Sequence, residues 1–139
     1  MRGFMPVLAG AFLALAAVGA VADPGRDAIL AALTAEAKQA EPAFTGFSAA
    51  RGEAFWNATH TGGKPDTPSC TTCHTPDPTK PGQTRAGKAI EPMAVSANPS
   101  RFTDADKVAK WFTRNCNSVL GRECTAAEKG DVITYLSSK

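Results

Sequence analysis

Apolar residues recur at helical spacing in separate stretches of the chain, joined by turn-forming segments. From Asp27 to Gln39, Ile29, Leu33 and Ala37 fall on one face and predict a helix that Pro42 ends. Ser48 is placed to cap a second helix, running through Arg51 to Asn57 and carrying Phe55 and Trp56. Thr103-Asp104-Ala105-Asp106 has the form of a capping box and predicts a third helix, on which Val108, Trp111, Phe112 and Asn115 share a face and after which Gly121 stops the chain. Thr125-Ala126-Ala127-Glu128 is a second such box; it opens a last helix reaching about Ser137, with Val132, Tyr135 and Leu136 as its apolar face.

Between these elements the pattern breaks. Gly62, Gly63, Pro65 and Pro68 make 61–68 a succession of turns. Pro76, Pro78, Pro81, Pro92 and Pro99, with Gly82 and Gly87, forbid long regular structure over 75–99, which reads as an ordered loop wrapped around something rather than as a linker. No segment alternates apolar and polar residues as a half-buried strand would, and no internal repeat is present. The prediction is an all-α domain.

The first 22 residues read as a leader outside that fold. Arg2 supplies a positive start, Val7 to Val18 an apolar stretch, and Ala20-Val21-Ala22 a small-residue cleavage site, leaving Asp23 as the expected mature N-terminus and 23–139 as one domain. The other reading of that stretch is an uncleaved anchor, although it is short for a membrane span. The formal net charge of +2 does not favour nucleic acid or an anionic membrane as partner. The expected product is an exported, periplasmic protein.

Cys70-Thr71-Thr72-Cys73-His74 carries the chemistry. Two thiols at this spacing can add to the two vinyl groups of one haem, and the histidine directly after them can then bind the iron. Zinc binding or a dithiol redox site would also use Cys-x-x-Cys, but neither needs that histidine. Cys116 and Cys124 remain as a pair, and in an oxidising compartment a disulfide is the default. The alternative is two free thiols, or a bridge reduced during function.

The second axial ligand is open on residue grounds. Past the leader there is one other histidine, His60, and one methionine, Met93. Met93 in Glu91-Pro92-Met93-Ala94 could reach the iron or simply fill an apolar wall. His60, beside the Gly62-Gly63 turn, reads as a solvent-facing loop residue that could in principle compete. Asn115 is the unusual candidate. On an apolar helix face its amide needs a partner, since burying it unbonded costs about 1–3 kcal/mol; that partner is backbone, a propionate or the metal. No constellation of catalytic acid, base and nucleophile is present, so any chemistry belongs to the iron and its electron source.

Arg51-Gly52-Glu53-Ala54-Phe55 and Asp131-Val132-Ile133-Thr134-Tyr135-Leu136 resemble the N- and C-terminal helices of class I cytochromes c, in which a glycine lets the two helices cross closely beside the haem. The segment from Thr61-Gly62-Gly63-Lys64-Pro65-Asp66-Thr67-Pro68-Ser69 into the Cys70–His74 motif, together with Arg101-Phe102-Thr103-Asp104 and Arg114-Asn115-Cys116-Asn117-Ser118-Val119, resembles the sphaeroides haem protein family of high-spin cytochromes c. The resemblance covers nearly all of 23–139. It implies one covalent haem c on Cys70 and Cys73, His74 as proximal ligand, Asn115 as distal ligand and a Cys116–Cys124 disulfide. It also implies release of the asparagine on reduction, binding of small diatomics such as O2, NO or CO, and a dihaem cytochrome c as electron partner. The readings that compete with it are a conventional electron carrier ligated by Met93 and a non-haem metal protein.

Made in a host that attaches haem, the protein is expected to show by intact-mass spectrometry the addition of one haem and the loss of residues 1 to 22. A bare polypeptide mass would end the haem reading.

Overall fold

The computed structural model describes residues 22–139, so the leader lies outside the described residues apart from Ala22. Five helices and a minimal hairpin follow one another: α1 (Pro24–Ala40), α2 (Ala49–Asn57), α3 (Thr71–His74), β1 (Gly82–Gln83), β2 (Ala89–Ile90), α4 (Ala105–Leu120) and α5 (Ala126–Ser137).

Caps decide where these helices begin. Asp23 accepts the N–H groups of Gly25 and Arg26 at 2.9 and 3.0 Å, so α1 starts earlier than its apolar spacing indicates; periodicity reports the buried face, not the first hydrogen-bonded residue. Ser48 Oγ accepts the Arg51 N–H at 3.2 Å at the start of α2. The expected Thr103 cap of α4 is corrected. Its hydroxyl donates to the Ser100 carbonyl, and Asp104 does the capping, accepting the Lys107 N–H at 3.0 Å. The α5 box forms as expected, with Thr125 Oγ1 and Glu128 answering each other's N–H groups at 3.1 and 2.8 Å. The Pro-rich stretch also holds a strand pair that the pattern did not indicate. Gly82 faces Ile90 and Gln83 faces Ala89 in antiparallel register, and two residues per strand are too few to show alternation.

The core lies where α2 and α5 cross, and α1 also packs on α5. Trp56, Val132, Tyr135 and Leu136 form its central cluster. The crossing is so close that a Cβ on Gly52 would collide with the Asp131 carbonyl oxygen and with Tyr135 Cβ. Asp131 locks the same crossing from its side chain. One carboxylate oxygen accepts the Ser48 N–H at 2.6 Å and an Arg51 terminal nitrogen at 2.9 Å, and the other accepts Arg51 Nε at 2.7 Å. The buried carboxylate therefore ties the first turn of α2 to the middle of α5, and it holds the Arg51 guanidinium above its ordinary pKa. Helix α4 stands outside this packing and sends only Phe112 against the cluster.

Because the Gly52 clash is with backbone, the neighbour cannot swing away. Gly52→Ala is expected to destabilise the holoprotein by roughly 1–3 kcal/mol, whereas Ala54→Ser on the exposed side of α2 should stay within about 0.5 kcal/mol. Denaturant unfolding compares the two; equal effects would mean the crossing is loose.

Candidate functional site

The 61–68 turns deliver the chain to α3, where the His74 N–H closes the turn on the Cys70 carbonyl at 3.1 Å. Positions 70, 73 and 74 stand three and four residues apart, so both thiols and the imidazole project from one side of this turn. Ser69 prepares it. Its Oγ donates to the Trp56 carbonyl at 3.3 Å and accepts the Thr71 N–H at 3.3 Å, tying α3 to α2. Immediately after His74 the backbone of Thr75 takes a φ of +64°, uncommon for a β-branched residue. Its carbonyl accepts Trp56 Nε1 at 3.3 Å, and the Trp56 ring lies 5.3 Å from the His74 ring. The motif thus rests directly on the buried core.

Burial sets its protonation. The His74 pKa is pushed down to about 4, chiefly by loss of water and then by the charge of Arg101, so the imidazole is neutral at physiological pH. Its Nδ1 is buried without a hydrogen-bond partner among the described residues. Burial pushes the Cys70 thiol up to about 11. Cys70 and Cys73 are both unbridged. Cys70, Met93, Phe102 and Phe112 are half-buried and pack against the Trp56 cluster, forming an apolar wall beside the thiols.

The two competing ligand candidates are placed differently from their sequence reading or for another purpose. His60 is not a solvent-facing loop residue. Its Nε2 meets the Phe55 carbonyl at 2.9 Å, which only accepts and so makes that nitrogen the donor, and its ring packs 4.7 Å from Phe55. Met93 is held through its N–H on the Pro78 carbonyl at 2.9 Å, with its side chain in the apolar wall.

Asn115 lies in the penultimate turn of α4. No protein group covers Asn115 among the described residues. On the same face Trp111 is 51% exposed, flanked by Lys110 and Arg114 at 5.6 and 5.5 Å from its ring centre. The apolar spacing identified the face, but only Phe112 of that face reaches the core.

What holds α4 is its C-terminal end. Cys116 is bonded to Cys124, both buried, with Cα atoms 5.6 Å apart. The Ser118 carbonyl accepts the Lys64 N–H at 2.8 Å and Thr67 Oγ1 at 3.1 Å, and the two hydroxyls of Thr67 and Ser118 meet at 2.9 Å. The segment that leads into Cys70 therefore also grips the helix that carries Asn115. Lys64, Thr67 and Ser118 lie in segments that carry the family resemblance, but their contact was not read from the sequence; nothing in local spacing pairs positions this far apart. Beyond the bridge, Arg122 holds Glu128 through two bonds of 2.7 and 2.9 Å, fastening the connection to α5.

Over residues 42–136 the chain matches the family described as a domain of unknown function (DUF1924). It is 59% identical over 91 residues to cytochrome c-type protein SHP of Cereibacter sphaeroides, covering 66% of this chain and 70% of that one. The solved structure of oxidised SHP, described as an oxygen-binding cytochrome c, has a TM-score of 0.75 and 50% identity, covering 82% of this chain and 96% of its own. The solution structure of cytochrome c'' from Methylophilus methylotrophus, described as bearing on haem-ligand detachment, has a TM-score of 0.70 and 34% identity, with coverage of 82% and 93%.

The bridge adjoins Asn115, so removing it should be felt at that residue. Cys116→Ser with Cys124→Ser is expected to cost about 2–3 kcal/mol of stability and to shift the ferric absorption spectrum or the potential. A loss of stability with both left unmoved would make the bridge structural only.

Proposed function

Since the chain belongs to the family of c-type cytochromes that includes SHP and cytochrome c'', we propose that it is an exported, periplasmic monohaem cytochrome that accepts electrons and, on reduction, withdraws Asn115 to admit a small diatomic such as O2, NO or CO. The cofactor of this family is covalently attached haem c. Bound haem c supplies a one-electron iron centre that takes ligands on both faces.

The residues present fit that group. Cys70 and Cys73 are unbridged thiols on one side of α3, placed to carry the two thioether links. His74 is neutral and keeps a lone pair for the proximal position, with the Trp56 ring packed against it and itself held by the Thr75 carbonyl. Met93, Phe102 and Phe112 furnish the apolar surface a porphyrin needs.

The observation that carries the distal assignment is the Asn115 amide. It shares its helix face with Trp111 and Phe112 and directly precedes Cys116, whose bond to Cys124 fixes that turn of the helix. An amide oxygen is a hard, weak donor that suits ferric iron better than ferrous. Reduction would therefore weaken its hold. The haem-ligand detachment described for cytochrome c'' supports the same reading. Met93 is already committed to the core wall and serves as filler. The electron source is a redox protein, for which the family resemblance suggests a dihaem cytochrome c. Among the described residues no helix is long and apolar enough to cross a membrane.

Two substitutions separate this reading from a methionine-ligated carrier. Asn115→Ala should change the ferric spectrum to that of a five-coordinate or water-ligated iron and leave the rate of CO binding to the ferrous protein within a few-fold of wild type. Met93→Ala should leave the ferric spectrum unchanged. If Met93→Ala abolished the native spectrum while Asn115→Ala preserved it, the protein would be a conventional electron carrier.

A further inference from the structure

Two aromatic rings stand in line behind His74. The Trp56 ring lies 5.3 Å from the His74 ring, tilted by 32°, and 6.4 Å from the Tyr135 ring, tilted by 55°. Both separations are those of rings in contact. Trp56 and Tyr135 are buried, so the line runs through the core. Its far end meets the surface. There the exposed pair Lys139 and Glu53 joins at 3.2 Å, and Lys139 Nζ stands 5.1 Å from the centre of the Tyr135 ring. Both charges act on the Tyr135 hydroxyl. His74, Trp56 and Tyr135 therefore lead from the attachment motif to a charged pair at the surface.

Packing alone requires only rings of the right size. The chain has seven phenylalanines, two tryptophans and one tyrosine, yet its one tyrosine and one of its tryptophans stand here. Indole and phenol differ from benzene in giving up one electron to a strong oxidant. They differ from each other in where the proton then goes. Trp56 Nε1 donates to the Thr75 carbonyl at 3.3 Å, a neutral acceptor too weak as a base to take a proton. The Tyr135 hydroxyl instead has a carboxylate, Glu53, acting on it. Burial first, and then the Glu53 charge, hold the phenol above its ordinary pKa, so at rest it keeps its proton. Loss of an electron makes a phenol strongly acidic, and the carboxylate can then receive that proton. An oxidising equivalent entering at His74 thus passes through Trp56 and comes to rest on Tyr135.

We propose that Trp56 and Tyr135 form a relay that supplies one electron to the haem when a peroxide oxidises it, moving the oxidising equivalent from the cofactor towards the protein surface. Reduction of one peroxide to two waters takes two electrons and two protons. The haem gives one electron, Tyr135 gives the other through Trp56, and solvent provides the two protons. The phenolic proton passes to Glu53. Two electrons from the redox partner, with return of that proton, restore the haem and the tyrosine. Peroxide is the oxidant such a site meets, because O2 that leaves with an electron from the iron is superoxide, which disproportionates to peroxide. The inference rests on haem attachment and on an iron open to small molecules, both part of the proposed function, and not on release of Asn115.

The test adds hydrogen peroxide to the ferric, haem-loaded protein and follows freeze-quench EPR and Soret absorbance. Wild type should give a tyrosyl signal that narrows in protein made with ring-deuterated tyrosine, and the chain's single tyrosine makes the assignment unique. Tyr135→Phe keeps the ring, should lack the signal and should lose its Soret band about threefold faster than wild type. Trp56→Phe removes the oxidisable middle ring and should cut the tyrosyl yield about fivefold. A lowered Tm in these variants without those changes would leave the rings to packing and overturn the relay, as would a full tyrosyl yield in Trp56→Phe. If the Soret band does not respond to peroxide, the open-iron reading and the relay fall together. If it responds and wild type forms no tyrosyl signal, the relay alone falls. Should Trp56→Phe not accumulate, wild type and Tyr135→Phe decide: a wild-type signal with faster haem loss in the variant supports the relay, and equal haem loss refutes it.

Discussion

The crossing of α2 and α5 at Gly52 and Asp131 is the contact on which the rest of the molecule is built. Close approach there lets Trp56 meet Val132, Tyr135 and Leu136, and Trp56 in turn supports His74 and the carbonyl of Thr75. A glycine on one helix and a buried carboxylate on the other do this jointly. The first removes the side chain that would hold the backbones apart, and the second satisfies Ser48 and Arg51 at the point where two helices meet. The attachment motif inherits its rigidity from this crossing, because Ser69 and Trp56 fasten α3 to it.

The opposite side of the site is held differently. Helix α4 contributes Phe112 to the core but is otherwise fixed through its last turns, by the bond between Cys116 and Cys124 and by the grip of Lys64 and Thr67 on Ser118. His74 is braced by the core, whereas the turn that carries Asn115 is held by the adjoining bridge between Cys116 and Cys124. The 61–67 segment links the two sides, running from the end of α4 into Cys70.

Electrostatics sharpen the same division. The imidazole of His74 is kept neutral by burial, while Arg101, whose charge is felt there, is held by carbonyl groups that do not neutralise it. Asp131, by contrast, has its charge fully answered and serves packing alone. Two charged residues drawn from water thus differ in whether the protein itself supplies the counter-charge.

Much of this was legible in the chain. The Cys70–His74 motif, the caps at Ser48 and Thr125 and the apolar faces of α2 and α5 depend on residues within a turn or two of one another, so spacing along the sequence is spacing in space. The resemblance to class I cytochromes c anticipated the close approach at Gly52. Other features were misread or unseen for a common reason. The Asn115 face could be recognised as a face but not in what lies against it, because periodicity shows only which residues share a side. His60 was taken as solvent-facing because the Phe55 carbonyl that meets its ring is presented only once α2 has ended and the chain has turned back. The fork of Asp131 on Arg51, the grip of Thr67 on Ser118 and the seat of Arg101 on Pro92 and Glu91 join positions that no local pattern pairs. The sequence by itself determined the cofactor chemistry and the helices, because those rest on local spacing and backbone hydrogen bonding. Only the tertiary structure decided which polar groups meet, which charge is left unanswered and how each helix is fastened, because those depend on distances that exist only after the chain has closed on itself.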